Sequence, residues 1–287
     1  MKIAIIGISG QMGKWFASYF IQNNHEIKGY DIDLKGLSEL SENLNFEASD
    51  SLQKAIDNVD LILVTVSLEE SSSTLLKLVT LAKSGVTIID VSSIKSSVFN
   101  VLKQLSERNL NVIALHPLFG PGFPFNSVKK FALIPVSDSV QELKTINLLF
   151  PENETTLVSL EDHDKSMAYL LSLPYFANLS FASAMIDQDI NSLKNLSGTT
   201  FAVQLPLAES IMHNPDLITS LTLVNPYSIE VLDKFKNKLD LLIKSAKTNK
   251  ESLGKEISLI KDGLEQDMDF DQSYKKFYKM YMSLAQD

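Results

Sequence analysis

The first half of the chain alternates short, β-branched apolar runs with longer segments whose apolar positions recur three or four residues apart. Runs of the first kind fall at 2–7, 26–30, 61–66, 86–91, 111–115 and 131–136. Several are continuous, as in Leu61-Ile62-Leu63-Val64, with none of the polar alternation that a half-exposed strand shows. Parallel strands covered by helices on both faces read this way. Helical periodicity fills the gaps, for example at 12–23 and 69–83. Strand–helix–strand units in series predict an α/β fold with a doubly wound, mainly parallel sheet.

The pattern changes near Pro151. After a short strand at 155–158 the remaining chain reads as helices. The longest, at 160–186, is apolar around most of its circumference over 167–184, so it is expected to be covered on most sides, in a domain core or a subunit interface. Gly198-Thr199-Thr200, Asn214-Pro215 and Asn225-Pro226 punctuate the helical stretch beyond it, with Pro226 placed to open a helix. The tail at 267–287 alternates aromatics with lysines at helical spacing. Two domains are expected, 1–152 with the parallel sheet and 153–287 all-helical, the second pairing with another copy to make a homodimer.

Composition narrows the chemistry. Cysteine is absent, which removes disulfides and thiolate metal sites, and the four histidines (His25, His116, His163, His213) have no metal-ligand spacing, so no metal is expected. A net charge of −9 argues against nucleic acid as partner. No stretch is long enough to cross a bilayer, and the opening MKIAIIGISG, broken by glycines and leading into a helix, reads as a buried strand, not a signal peptide. No membrane association and a cytoplasmic setting are expected. Arg108 is the only arginine.

Gly7-Ile8-Ser9-Gly10-Gln11-Met12-Gly13 follows the first strand and opens the first helix. Glycines here allow a tight turn and a close approach of backbone to a pyrophosphate seated at the helix N-terminus, as in the Rossmann fold. The spacing is GxxGxxG, one position off the usual pattern. Tyr30-Asp31 closes the second strand about 20 residues on, where a carboxylate binds the adenosine ribose and repels a 2′-phosphate. These features predict NAD in preference to NADP, with Gly7, Ser9, Gly10, Gln11, Met12, Gly13 and Asp31 as its contacts. Asp33 is an alternative to Asp31.

Two further segments close predicted strands on the edge where open sheets bind ligands: Asp90-Val91-Ser92-Ser93-Ile94-Lys95 and His116-Pro117-Leu118-Phe119-Gly120-Pro121-Gly122. A histidine held by a rigid turn there suits a general base; capping the sheet edge is its plain structural alternative. Together with GISGQMG and the later EDHDKSMAYLLSL, these segments make the chain resemble the prephenate dehydrogenase family of tyrosine biosynthesis over most of its first 200 residues. The resemblance implies a Rossmann domain followed by a helical dimerisation domain. It implies NAD-dependent oxidative decarboxylation of prephenate to 4-hydroxyphenylpyruvate, with His116 accepting the hydroxyl proton and Ser93 orienting His116 and the hydroxyl. Lys95 matches the family's lysine, and from its type alone is a cation near an anionic ligand. For His163 a structural role at the start of the long helix is favoured, with Asp162 or Asp164 as cap or dipole partner.

The likeness weakens in the helical half. Tyr175 stands where many relatives have a second histidine, and 198–206 contains no arginine to clamp a carboxylate. Lys95, Lys129, Lys130 or Lys165 are left as cations for a small anionic substrate, with Tyr175 and Gln204 as neutral donors. Arogenate, which carries an ammonium beside its carboxylate, is the alternative substrate. A β-hydroxyacid dehydrogenase lacks support, because Lys165 is not followed one turn later by asparagine. A non-catalytic NAD-binding sensor has no need of Ser93 and His116 together.

Overall fold

The computed structural model describes residues 1–284. Its chain divides into two compact units, Met1–Met167 with Leu223–Pro226, and Ala168–Thr222 with the chain from Tyr227 onward.

The first unit is built on eight strands, β1 (Lys2–Ile6), β2 (Glu26–Tyr30), β3 (Glu47–Ala48), β4 (Leu61–Val64), β5 (Thr87–Asp90), β6 (Asn111–Pro117), β7 (Lys129–Ile134) and β8 (Asn153–Leu157). They lie in the order β3-β2-β1-β4-β5-β6-β7-β8. Every pairing is parallel except β6 with β7, which runs antiparallel with His116 opposite Ala132. Its helices are α1 (Gln11–Gln22), α2 (Leu34–Leu44), α3 (Leu52–Ala55), α4 (Leu68–Leu81), α5 (Phe99–Ser106), α6 (Ser139–Leu149) and α7 (Leu160–Met167).

Alternation along the strands divides the core into two layers. Ile3, Ile5, Leu61, Leu63, Ile113, Leu115, Phe131 and Leu133 face α1, α2 and α6, where Phe16, Phe20, Leu37 and Ile146 meet them. Ala4, Ile6, Ile62, Val64, Val112, Ala114 and Ala132 face the other side, against Leu75 and Leu78 of α4 and Leu102 and Leu105 of α5. Both faces are covered, which explains the continuous apolar runs. The predicted doubly wound, mainly parallel sheet is thus observed, with β3 added at the edge; its Glu47 and Ala48 are exposed and carry no strand pattern.

The first unit extends past residue 152, the boundary expected from the sequence. The turn of composition at Pro151 marks a loop, after which β8 pairs with β7 over five residues and α7 comes next within the same unit.

The second unit opens with a π-helical turn, Ala168–Ser172, and continues as α8 (Leu173–Ser183), α9 (Ile190–Asn195), α10 (Thr199–Ile211), α11 (Pro215–Val224, its last two residues counted with the first unit), α12 (Ser228–Thr248), α13 (Lys250–Leu264), a short 3-10 turn (Phe270–Gln272) and α14 (Ser273–Leu284). The long helix predicted at 160–186 is therefore α7, the π turn and α8 in succession. Pro174 explains the irregularity, since its ring and missing N–H do not suit a regular α register and a widened turn relieves both. Within this unit the hydroxyls of Ser172 and Ser228 share a buried hydrogen bond of 2.6 Å. The tail periodicity forms α14, and 285–287 lie outside the described residues.

Candidate active site

The site is assembled at the C-terminal ends of β1, β4, β5 and β6, which are neighbours in the sheet. Gly7 leaves β1 with φ of +87°, and a Cβ there would stand 2.9 Å from the Thr65 and Val66 backbone. Gly13 sits in the first turn of α1, where a Cβ would lie 2.3 Å from the Gly7 carbonyl oxygen. The third glycine of the motif therefore lets α1 pack directly on the turn. Gln11 and Met12 begin α1, whose opening amides have no partner within the helix. Asp31 lies across the turn, and its Oδ2 accepts the Ser9 N–H at 3.0 Å. Asp33 is occupied as the N-cap of α2, accepting from the Gly36 N–H at 3.1 Å, which leaves Asp31 as the acid of the turn.

A cavity of about 480 Å³ opens here, lined by Gly7, Ser9, Gly10, Asp31, Thr65 and Val66 among others. The Ser9 Oγ is buried with no hydrogen-bond partner among the described residues. A close glycine cradle, an unsatisfied hydroxyl and a carboxylate fit a dinucleotide.

The second part of the site lies two strands away, around β5 and β6. Lys95, expected to face an anionic ligand, is instead fully buried. Its ammonium donates to Asp90 Oδ2 at 2.5 Å, to the Asp90 carbonyl at 3.1 Å and to the Leu115 carbonyl at 2.8 Å. All three N–H groups are thereby used, so Lys95 braces the ends of β5 and β6 and has none left for a substrate. Burial pulls its pKa down, opposed by Asp90 and Asp164.

Lys129 also departs from expectation. Strand alternation places it with Phe131 on the α1 side of the sheet, whereas His116 shares the opposite side with Ala114. Its ammonium donates to the Phe125 carbonyl and lies 4.9 Å from the centroid of the Tyr19 ring. Lys130 pairs with Glu154 and Lys165 with Glu161. Ser93 is half-buried in the turn that follows β5.

His116 lies near the end of β6, 5 % exposed, with its Nδ1 3.0 Å from Nε2 of His163 on α7. His163 Nδ1 in turn lies 2.7 Å from Asp164 Oδ1. The Asp164 carboxylate also accepts the backbone N–H groups of Lys95 and Ser96, at 3.1 and 2.8 Å. Burial works against ionisation of Asp164, but the hydrogen bonds from His163, Ser96 and Lys95 outweigh it and hold the carboxyl below its usual range. The His116 pKa falls well below the ordinary histidine value of 6.5, first because burial disfavours the cation, then through His163 and Lys95, with Asp164 opposing. His116 is therefore neutral at physiological pH, with Nδ1 engaged and Nε2 left as the second ring nitrogen.

Of the two acids that the sequence offers for the helix end, Asp162 takes the role together with Ser159, and Asp164 does not. The Asp162 N–H donates to Ser159 Oγ at 3.1 Å, and Ser159 Oγ donates to Asp162 Oδ2 at 2.7 Å. One signal in the sequence marks His163 and Asp164. Leu160, His163, Asp164 and Met167 follow helical i, i+3, i+4, i+7 spacing, which puts two polar residues on the buried face of α7.

Tyr175 and Gln204 belong to the second unit. Gln204 Nε2 donates to Asn178 Oδ1 at 2.6 Å, and Asn178 Nδ2 donates to the Pro174 carbonyl at 2.8 Å. Burial raises the Tyr175 pKa above its normal value.

Comparison with known proteins decides the family. Residues 17–137 match "Prephenate dehydrogenase, nucleotide-binding domain", and residues 159–257 match "Prephenate dehydrogenase, dimerization domain". The chain belongs to the prephenate dehydrogenase family. The glycine turn precedes the first matched range, while His163 and Asp164 fall inside the second. Among curated relatives, a "Probable arogenate/prephenate dehydrogenase" of Methanocaldococcus jannaschii is 22% identical over 245 residues, covering 83% of this chain and 55% of its own length. The chain spans a little over half the length of the curated relatives it matches. Two solved structures share the fold. Synechocystis arogenate dehydrogenase has a TM-score of 0.69 at 20% identity, with 93% of this chain and 99% of that one covered. Prephenate dehydrogenase from A. aeolicus, in complex with hydroxyphenyl propionate and NAD+, has a TM-score of 0.72 at 21% identity, with 93% and 98% covered. Among the described residues no helix is long and apolar enough to cross a membrane, and no group of His, Asp and Glu is placed to hold a metal ion.

Proposed function

We propose that this protein is an NAD+-dependent dehydrogenase that oxidatively decarboxylates prephenate to 4-hydroxyphenylpyruvate, acting as a homodimer in the cytoplasm. The observation that carries the proposal is His116, a neutral, buried imidazole at a strand end, with one ring nitrogen tied to His163 and three strands along the sheet from the glycine turn. Bound NAD+ supplies the hydride acceptor. The turn from Gly7 to Gly13 holds the pyrophosphate, Gln11 and Met12 offer opening amides of α1, and Asp31 takes the ribose hydroxyls. His116 Nε2 accepts the proton of the ring hydroxyl as the carbinol carbon gives up its hydride. The bond to the ring carboxylate breaks, CO2 leaves, its electron pair makes the ring aromatic, and the ring oxygen takes back the proton held by His116. Ser93, in the adjoining turn, orients the hydroxyl against His116. The paired copy forms through the matched dimerisation domain.

Arogenate is a second reading, favoured by one specific observation. The lysines available for a dianion are engaged by protein partners, and the sequence from 153 onward contains no arginine. A zwitterionic side chain asks less of such a site than a second carboxylate does.

The test is NADH formation from NAD+ with prephenate or arogenate, using His116→Asn as control. Turnover of prephenate, lost in the control, is the expected outcome. Turnover of arogenate alone reassigns the substrate. NAD+ binding without turnover of either leaves a non-catalytic sensor.

A further inference from the structure

We propose that His163 and Asp164 are positioning residues that set which ring nitrogen of His116 carries its proton, and so make its Nε2 the base. The inference rests on the reading of His116 as the proton acceptor and extends it to two residues on another element.

Asp164 is an ionised carboxylate, and an ionised carboxylate only accepts. Three donors converge on it: the N–H groups of Lys95 and Ser96, and Nδ1 of His163. His163 must therefore carry a proton on Nδ1, and in the neutral ring this leaves Nε2 as an acceptor. The contact at 3.0 Å between that Nε2 and His116 Nδ1 then needs its hydrogen from His116. His116 is thereby fixed as the Nδ1–H tautomer, with the Nε2 lone pair free to take a proton from substrate. The opposite tautomer would set two lone pairs against each other in a buried place, at a cost of a lost hydrogen bond with both groups desolvated.

The same line stabilises the product of proton transfer. When His116 becomes an imidazolium, its Nδ1–H donates more strongly to His163, and the Asp164 charge lies at the far end of the chain of hydrogen bonds. The titratable groups facing His116 are His163 and Asp164 on α7 and Lys95 after β5, itself paired with Asp90. Only Asp164 among those acting on His116 favours its cation. The two amides that bind Asp164 belong to the turn carrying Ser93, so α7 holds the acid, the relay and the Ser93 turn in one arrangement.

The experiment reads tautomers and rates separately. With four histidines in the chain, ¹⁵N-histidine NMR of the full-length protein resolves each ring, and single substitutions assign them. His116 is expected as the neutral Nδ1–H form and His163 likewise, with both Nε2 atoms bare. His163→Leu removes the acceptor; kcat is expected to fall about a hundredfold or more with KM little changed, and the His116 tautomer to become mixed. His163→Gln restores a carbonyl within reach of Nδ1 and is expected to recover most of the rate, to within about tenfold of the unaltered protein. Asp164→Asn, whose amide cannot accept from all three donors, is the second route if His163→Leu does not fold, and is expected to turn His116 to the Nε2–H form. An Nε2–H tautomer of His116 in the unaltered protein, a doubly protonated His163 at working pH, or an unchanged kcat in His163→Leu would overturn the proposal. Should the unaltered protein turn over neither substrate, the tautomer spectrum still decides the relay.

Discussion

The two units of the chain bury their apolar residues to different degrees. In the first, strands such as β4 are buried at every position and both layers of the core close within one chain. In the second, α13 and α14 bury nothing and α8 buries only Asn178, although α8, α10 and α11 are among the most apolar helices of the protein. Leu170, Ile186 and Leu196 are 62%, 81% and 88% exposed. A sheet covered on both faces can complete its own core, whereas helices of this composition ask for a second surface, in keeping with the dimerization domain that this half matches. The proposed acid–base group follows the same division, since His116, His163 and Asp164 are all buried within the first unit.

The largest effect is expected at the base. His116→Asn should lower kcat by about 10²–10⁴-fold while leaving the unfolding midpoint and NAD+ binding close to those of the unaltered protein. Dehydrogenase kinetics and calorimetry on one preparation check this, and retained turnover would move the chemistry out of the first unit.

Next comes the brace. Lys95→Met leaves the Asp90 carboxylate buried without its counter-ion, and a loss of about 3–5 kcal/mol in urea unfolding is expected. A loss in KM alone, with stability intact, would return Lys95 to the role of substrate cation.

Gly13→Ala drives a Cβ into the Gly7 carbonyl, so about 1–3 kcal/mol of stability should go, together with NAD+ affinity, as seen by titration of protein fluorescence. Equal binding in the variant would mean the turn does not carry the cofactor.

The pH dependence comes from the depressed pKa of His116. With His116 as the proposed base its neutral ring is the active form, so kcat/KM should stay level through pH 6.5 and fall only further into acid, an acid limb lower than the one a solvent-exposed histidine gives. For stability the sign is the same. Above about pH 6.5 the ring is neutral folded or unfolded; below it the unfolded chain takes up the proton first, so stability declines as pH falls toward the folded pKa. Urea unfolding from pH 8 to 5, with and without His116→Asn, isolates the contribution.

The smallest effect probes the helical half. Leu196→Lys should change the stability of the isolated chain by less than about 0.5 kcal/mol, since the side chain is largely in water. A larger loss that grows at low protein concentration, in sedimentation and unfolding run side by side, would show that a second copy covers it.

Much of this could be read from the amino-acid order. Continuous apolar runs stated a sheet covered on both faces, and the glycine turn with Asp31 stated a nucleotide edge, because backbone conformation and burial act on residues close in sequence. His116 and Ser93 were placed by the strands they close. What the order of residues left open was decided by contacts between distant segments. Lys95 and Lys129 read as free cations because charge predicts solvent, yet partners on neighbouring strands and loops satisfy both inside the fold. His163 and Asp164 read as part of a helix end for which Asp162 was the other candidate, and Asp162 alone caps it. Only the packing of α7 onto the turn after β5 brings them to His116, 47 residues away along the chain. Local pattern sets which elements form and what they bury; the protonation state of a single imidazole depends on which hydrogen-bond partners the tertiary structure delivers to it.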